Sequence, residues 1–338
     1  MRFKDIIKTN TLSFKNLKIS SYIMFLIVIS ITSCNSSDNS DTNDDNDNLT
    51  GDLIHQSYFN TTSLISFEKV DCMLEDGSSG ECYQLVFSSN PIYNGPYCPT
   101  TINDTGGLGF YDGTSNPGFQ VLKASLFNAM EDDGYDIIDN GGNIYVDDFT
   151  GPPNPGGYSY CLEAAPDNNL QLTFIIPVLP TLATNNNVID TVELIGVSLD
   201  GVPINGDPPS VVNGPVLGVG NIPAIDPCGG HHDPAGYYHL HFVSETMNQV
   251  LEFNGINDVT CTLVNQASGS KLIGFAKDGF PIYAYEVEPT GLDECGGLTA
   301  ATTEFPNGIY HYVASNTDAP NVPKCLKGVA ATNSFSFQ

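Results

Sequence analysis

The chain has 338 residues, with 39 acidic side chains against 11 basic ones and a formal net charge of −28. Five of the basic residues (Arg2, Lys4, Lys8, Lys15 and Lys18) and one acid fall in the first 33 residues, so the rest carries six lysines, no arginine and 38 acids, a net charge of −32. That balance excludes nucleic acid as a partner, and any phosphate clamp built on arginine. It favours cations and keeps the chain soluble.

Residues 1–20 are polar and basic, and an apolar run follows over Tyr22–Ile31. The run is too short to span a bilayer and has the form of a signal-peptide core. The residues Ile31-Thr32-Ser33-Cys34 resemble a bacterial lipobox, which implies removal of residues 1–33 and lipidation of Cys34. Residues 34–50 contain almost no apolar side chain and read as a disordered acidic tether. Such a stretch after a lipidated cysteine resembles surface-exported bacterial lipoproteins. The expected location is the outer membrane, at the cell surface ahead of the periplasmic face, with the lipid as the only membrane contact.

Eight further cysteines remain: Cys72, Cys82, Cys98, Cys161, Cys228, Cys261, Cys295 and Cys325. An even number in an exported chain reads as four disulfides, and no pair has the C-x-x-C spacing of a structural zinc site. Cys72 and Cys82 bracket a short acidic segment and suit a local closure.

From residue 51 onward Gly, Pro, Asn and Asp interrupt short apolar runs. Candidate strands are 82–89, 170–179, 188–199, 237–244 and 271–287, which are rich in β-branched and aromatic residues. Helical spacing occurs in Gly118–Gly134, through Val121, Leu122, Ser125, Leu126 and Ala129. The fold class is therefore mainly β with one or a few short helices, around a β-sandwich-like or barrel-like core. Residues 51–185 form an N-terminal β-rich part and residues 186–338 a second domain.

That second domain repeats itself. Glu193–Ile204 (ELIGVSLDGVPI) matches Lys271–Ile282 (KLIGFAKDGFPI), Asp226–Gly230 (DPCGG) matches Asp293–Gly297 (DECGG), and Gly236–His239 (GYYH) matches Gly308–His311 (GIYH). Each copy ends on one more cysteine, Cys261 or Cys325. Blocks in the same order indicate an internal duplication, about 190–243 and 270–313. The Asp-Gly turns predict β-hairpins, with Pro203 and Pro281 where a strand restarts. Pairing that respects the repeat is Cys228–Cys261 with Cys295–Cys325, or the exchanged set.

These blocks resemble the YHYH domain family of exported proteins, over roughly residues 85–330. Two departures stand out. The first motif reads Tyr238-His239-Leu240-His241 and the second Tyr310-His311-Tyr312-Val313. The resemblance implies no settled activity, so any chemistry rests on the residues.

On a strand, His239 and His241 share one face, while Tyr238, Leu240 and Phe242 share the other and pack inward. Two such strands brought together offer His239, His241 and His311, with His231 as a possible fourth nitrogen. An imidazole set without thiolate suits copper or zinc, copper first. Asp226, Asp233, Asp278 and Asp293 are candidate partners for the second ring nitrogens. A different reading has the histidines fixing loops in a cell-surface binding module for a protein or glycan, and a third a metal-dependent hydrolase. Neither G-x-S-x-G nor H-E-x-x-H occurs. The acidic stretch Glu131–Asp148 is a weaker candidate for calcium and lacks EF-hand spacing.

Overall fold

The N-terminal strands, β1 (Leu64–Met73) and β2 (Ser79–Ser88), form a hairpin across the Asp76-Gly77 turn. The computed structural model describes residues 52–92, 95–148, 156–212 and 218–338. The leader, the lipidation candidate Cys34 and the tether lie outside the described residues. Cys72–Cys82 closes the first hairpin, and Cys98–Cys161, Cys228–Cys261 and Cys295–Cys325 pair the other six. The first and the last two are the local and repeat-respecting pairings that the spacing allowed.

A second hairpin joins β3 (Leu108–Tyr111) to β4 (Gly118–Val121), and α1 (Ala124–Asp132) follows. The helix is shorter than the periodicity of Gly118–Gly134 suggests. Phe119–Val121 extends instead, because β3 offers it a ladder from Leu108↔Val121 to Tyr111↔Gly118. Tertiary pairing outweighs local propensity there. Leu126, Phe127, Ala129 and Met130 still bury the helix's inner face.

The chain continues through β5 (Val146–Asp148), β6 (Cys161–Glu163), β7 (Gln171–Pro177) and β8 (Leu182–Val188). The repeat region then gives β9 (Leu194–Ser198) and β10 (Pro203–Asn205), the short β11 (Ile222–Pro223), and the hairpin β12 (Gly230–His232) and β13 (Tyr238–Leu240). After α2 (Met247–Phe253) come β14 (Ser270–Ala276), β15 (Pro281–Tyr285), β16 (Gly297–Ala300), β17 (Ile309–Val313), β18 (Cys325–Gly328) and β19 (Phe335–Phe337). Pro203 and Pro281 open their strands, where a missing N–H costs no ladder bond inside the strand.

The fold is mainly β, and among the described residues no sheet closes into a barrel. The central sheet has eight strands in the order β12-β13-β10-β9-β14-β15-β17-β16. It reads alike outward from the β9–β14 pair. On each side come a hairpin partner, then a parallel strand, then that strand's antiparallel neighbour. The registers agree too: Ile204↔Leu240 corresponds to Ile282↔Tyr312, and Gly230↔Leu240 to Gly297↔Tyr312. At the centre Val197 faces Phe275, each the other's counterpart in the LIG blocks.

A four-stranded sheet, β1-β2-β7-β19, covers one face of this central sheet. Between them lies a core of Phe87, Leu172, Phe174, Val197, Phe275 and Tyr283. Each such side chain contributes about 1.5–3 kcal/mol by leaving water. A second core, with Ile204, Tyr238, Leu240, Ile282, Tyr312 and Leu326, also draws on the repeat strands. Among the described residues each of the six lysines, Lys69, Lys123, Lys271, Lys277, Lys324 and Lys327, is ion-paired with a carboxylate.

Candidate metal centre

The site is built on a stapled turn. Asp226 accepts hydrogen bonds from the Cys228 and Gly230 amides at 2.8 and 3.3 Å, and from the Tyr238 hydroxyl at 2.7 Å. Gly229 has φ +94°, and a side chain there would run into the Phe242 ring. A side chain on Gly230 would meet the Tyr238 ring and the His239 carbonyl at 2.6 Å. The two glycines thus permit a bend that the Cys228–Cys261 bridge then holds. Burial pushes the Asp226 carboxyl up to about 6, although the Tyr238 hydroxyl and the backbone donors pull the other way.

The chain next makes a tight hairpin around Asp233–Gly236. Asp233 accepts from the Ala235 amide at 2.7 Å, and the Gly236 amide donates to the Asp233 carbonyl at 2.7 Å. This turn length sets β12 against β13 so that His231 pairs directly with His239. His241 lies two residues beyond His239 and returns to the same face.

The three Nε2 atoms form an equilateral triangle, with every separation 3.1 Å. The rings are buried, at 6, 4 and 0 % exposure for His231, His239 and His241. The imidazole face is therefore buried as well, and not only the face of Tyr238, Leu240 and Phe242. Tyr237 lies 5.9 Å from the His239 ring and packs on Phe335 and Phe337 of β19, so both faces of β13 are covered.

Burial holds all three imidazoles neutral. His231 and His239 lie well below the usual histidine range, first through desolvation and then through repulsion by neighbouring histidines, and His241 is lowered by desolvation to about 4. The other ring nitrogens fix the tautomers. Nδ1 of His231 donates to the Ala224 carbonyl at 3.1 Å, and Nδ1 of His241 donates to the Gly206 carbonyl at 2.5 Å. A neutral ring with its proton on Nδ1 presents a bare lone pair at Nε2. Two lone pairs thus confront each other at 3.1 Å. His239, whose Nδ1 has no hydrogen-bond partner, can relieve this only in part by carrying its proton on Nε2.

A cation would resolve the conflict, held by Nε2 of His231, His239 and His241, whose triangle suits metal–imidazole bonds of about 2 Å. Among the described residues this is the one group of three or more His, Cys, Asp or Glu side chains with converging ligand atoms.

Of the four predicted imidazoles, three converge and His311 stands apart. It lies on β17, five strand positions from β13, about 24 Å at the usual spacing. Its Nε2 meets the Tyr285 hydroxyl at 2.8 Å and its Nδ1 the Ile309 carbonyl at 3.1 Å. The physical reason is the sheet order. The two halves join through β9 and β14, which sends their histidine strands to opposite ends. In the second half Leu298 pairs with His311 where His231 pairs with His239, and Val313 follows where His241 would stand.

None of the four candidate aspartates bonds an imidazole. Asp226 and Asp233 hold the turns on either side of β12. Asp278 accepts from the Tyr312 hydroxyl and the Gly328 and Phe280 amides, and Asp293 from the Cys295 and Gly297 amides and Tyr310. Backbone carbonyls orient the ligand rings instead. His232, the neighbour of His231, points to the other face between Tyr97 and Tyr238. In the acidic stretch Glu131–Asp148, Glu131 accepts from the Ile137 and Ile138 amides and Asp139 from Gly141 and Asn143. Those carboxylates serve their own loop and form no converging set.

Sequence reasoning placed His231 last, as a possible fourth ligand. The signal that promotes it is the spacing His-His-Asp-Pro-Ala-Gly-Tyr-Tyr-His, where the five-residue connection 233–237 between the paired His232 and Tyr238 sets His231 opposite His239.

Four disulfides fit an oxidising, extracytoplasmic compartment. Among the described residues no helix is long and apolar enough to cross a membrane. No curated protein and no solved structure gives a match to the chain. A family model described as YHYH protein does match, over residues 173–289 and 284–328. That span begins after the N-terminal portion of the resemblance and takes in both histidine motifs, the triad and the whole central sheet. Over residues 173–328 the chain belongs to the YHYH protein family.

Proposed function

We propose that the protein binds one transition-metal ion, copper or zinc, outside the cytoplasm through His231, His239 and His241. One observation carries the reading: three buried Nε2 atoms at 3.1 Å from one another, two of them committed to lone pairs by their Nδ1 bonds. Buried polar atoms in a folded protein are normally satisfied, and an unrelieved clash of lone pairs is a destabilising arrangement that a cation removes.

The setting is a lipid-anchored protein of the outer membrane, at the cell surface, with Cys34 acylated. The ITSC sequence and the disulfides support it. The central sheet is read as a duplicated unit in which only the first copy keeps a complete ligand set. The matching registers on the two sides of β9–β14 support that reading.

A second reading, in which the histidines are structural, draws on the same Nδ1 bonds, which tie β12 to Ala224 and β13 to Gly206. Calorimetric titration of the mature chain with Zn(II) and Cu(II) separates the two. The expected outcome is one equivalent bound, weakened at least about 100-fold in His231→Gln and His239→Ala, since losses of 10–100-fold follow changes outside the ligand shell alone. Unaltered far-UV circular dichroism shows that the variants stay folded. Absence of binding in the folded wild-type chain, for these two ions and for copper(I) alike, assigns the histidines to structure.

A further inference from the structure

We propose that the triad is a three-coordinate site for monovalent copper, in preference to any divalent ion. The proposal rests on the metal reading above and names the charge and coordination of the ion.

The first observation is the donor count. Three imidazole nitrogens converge, and no fourth His, Cys, Asp or Glu among the described residues joins them. Zinc(II) takes four ligands, with a water as the fourth where the protein supplies three, and copper(II) prefers a tetragonal set, so either divalent ion would have to bring further ligands into this buried triad. Cuprous copper has a filled d shell and is satisfied by three. Flattening the tripod to a trigonal plane requires each Nε2 to draw back by only about 0.2 Å from its present place, for metal–nitrogen bonds near 2 Å.

The second observation is charge. The triad is buried, its anchoring hydrogen bonds go to backbone carbonyls, and no carboxylate is bonded to any of the three rings. The carboxylates that flank β12 in sequence, Asp226 and Asp233, are turned to Tyr238 and to the backbone. The desolvation of an ion rises with the square of its charge, so a dication here costs four times as much as a monocation, with no anion to offset it.

The third observation is competition. Cuprous copper prefers thiolate, and all eight cysteines among the described residues are locked in disulfides. Within the folded chain the imidazoles have no softer rival.

The test uses the mature chain with the Cys34 thiol alkylated, under nitrogen, with ascorbate to hold copper(I) while sparing the disulfides. Bicinchoninate competes for Cu(I), and chromophoric chelators compete for Zn(II) and, without ascorbate, for Cu(II). The expected result is one equivalent of Cu(I), held at least about 100-fold more tightly than Zn(II) or Cu(II), and lost in His231→Gln. Copper-edge X-ray absorption of the wild-type complex needs no variant and is expected to report three nitrogens near 2 Å. Tighter binding of either divalent ion, or a four-coordinate spectrum, overturns the monovalent assignment and leaves the metal site standing. If none of the three ions binds, both readings fall.

Discussion

Tyr238 and Tyr310 hold the same position in the two halves: each donates its hydroxyl to the aspartate that opens its Gly-Gly turn, Asp226 or Asp293. The difference lies in burial. Asp226 is fully buried and its carboxyl is raised from 3.8 to about 6, with desolvation as the leading cause. Between pH 4 and 6 the folded chain therefore keeps a proton that the unfolded chain releases. Stability attributable to this group falls as pH rises through that window and is level above it. Asp278, buried against Tyr312, is raised in the same direction for the same first cause. Denaturant unfolding of metal-free Asp226→Asn and wild type, compared from pH 4 to 7, is expected to show the variant gaining on the wild type by about 1–3 kcal/mol as pH rises, the scale of a shift of one to two pKa units. A difference that stays constant across the window contradicts the buried, proton-retaining carboxyl. Neither aspartate's role was legible in the sequence. Both appeared there as partners for histidine, because spacing reveals which residues share a segment and not which way a turn directs its side chains.

At the scale of elements the hairpins were the most legible features. Asp-Gly between LIG and Pro-Ile predicted β9–β10 and β14–β15, and the prolines open their strands as expected. Those signals are local, fixed by a turn and its neighbours. The helix boundary was less legible, since Phe119–Val121 takes its conformation from β3 rather than from its own periodicity. The β12–β13 hairpin is the element that assembles the histidine triad, and Gly230 permits the hairpin. Gly297 sits at the equivalent place, where a side chain would meet the Tyr310 ring and the His311 carbonyl at 2.8 Å. Both Gly230→Ala and Gly297→Ala are expected to lose about 1–3 kcal/mol of stability through overpacking. Only Gly230→Ala is expected to weaken metal binding, because only its hairpin carries paired histidines. Equal loss of binding in the two variants would mean that the site depends on global stability and not on that hairpin.

For the whole molecule the decisive fact is the order of the central sheet. Repeated motifs suggested that their histidines would meet, but adjacency in a sheet depends on which edges join. The halves join through β9 and β14, so β13 and β17 stand far apart, and the ligand set comes from one half alone. Long-range pairing of this kind is not written in any short stretch. The charge balance agrees with a cation site: the six lysines among the described residues are all ion-paired, and acids outnumber them. The central claim is that His231, His239 and His241 together hold one ion. Anomalous diffraction at the copper edge, from crystals of the copper-loaded mature chain, tests it most directly. The account predicts a single strong peak about 2 Å from all three Nε2 atoms, and a triangle with no peak, or a peak bound only by surface carboxylates, would contradict it.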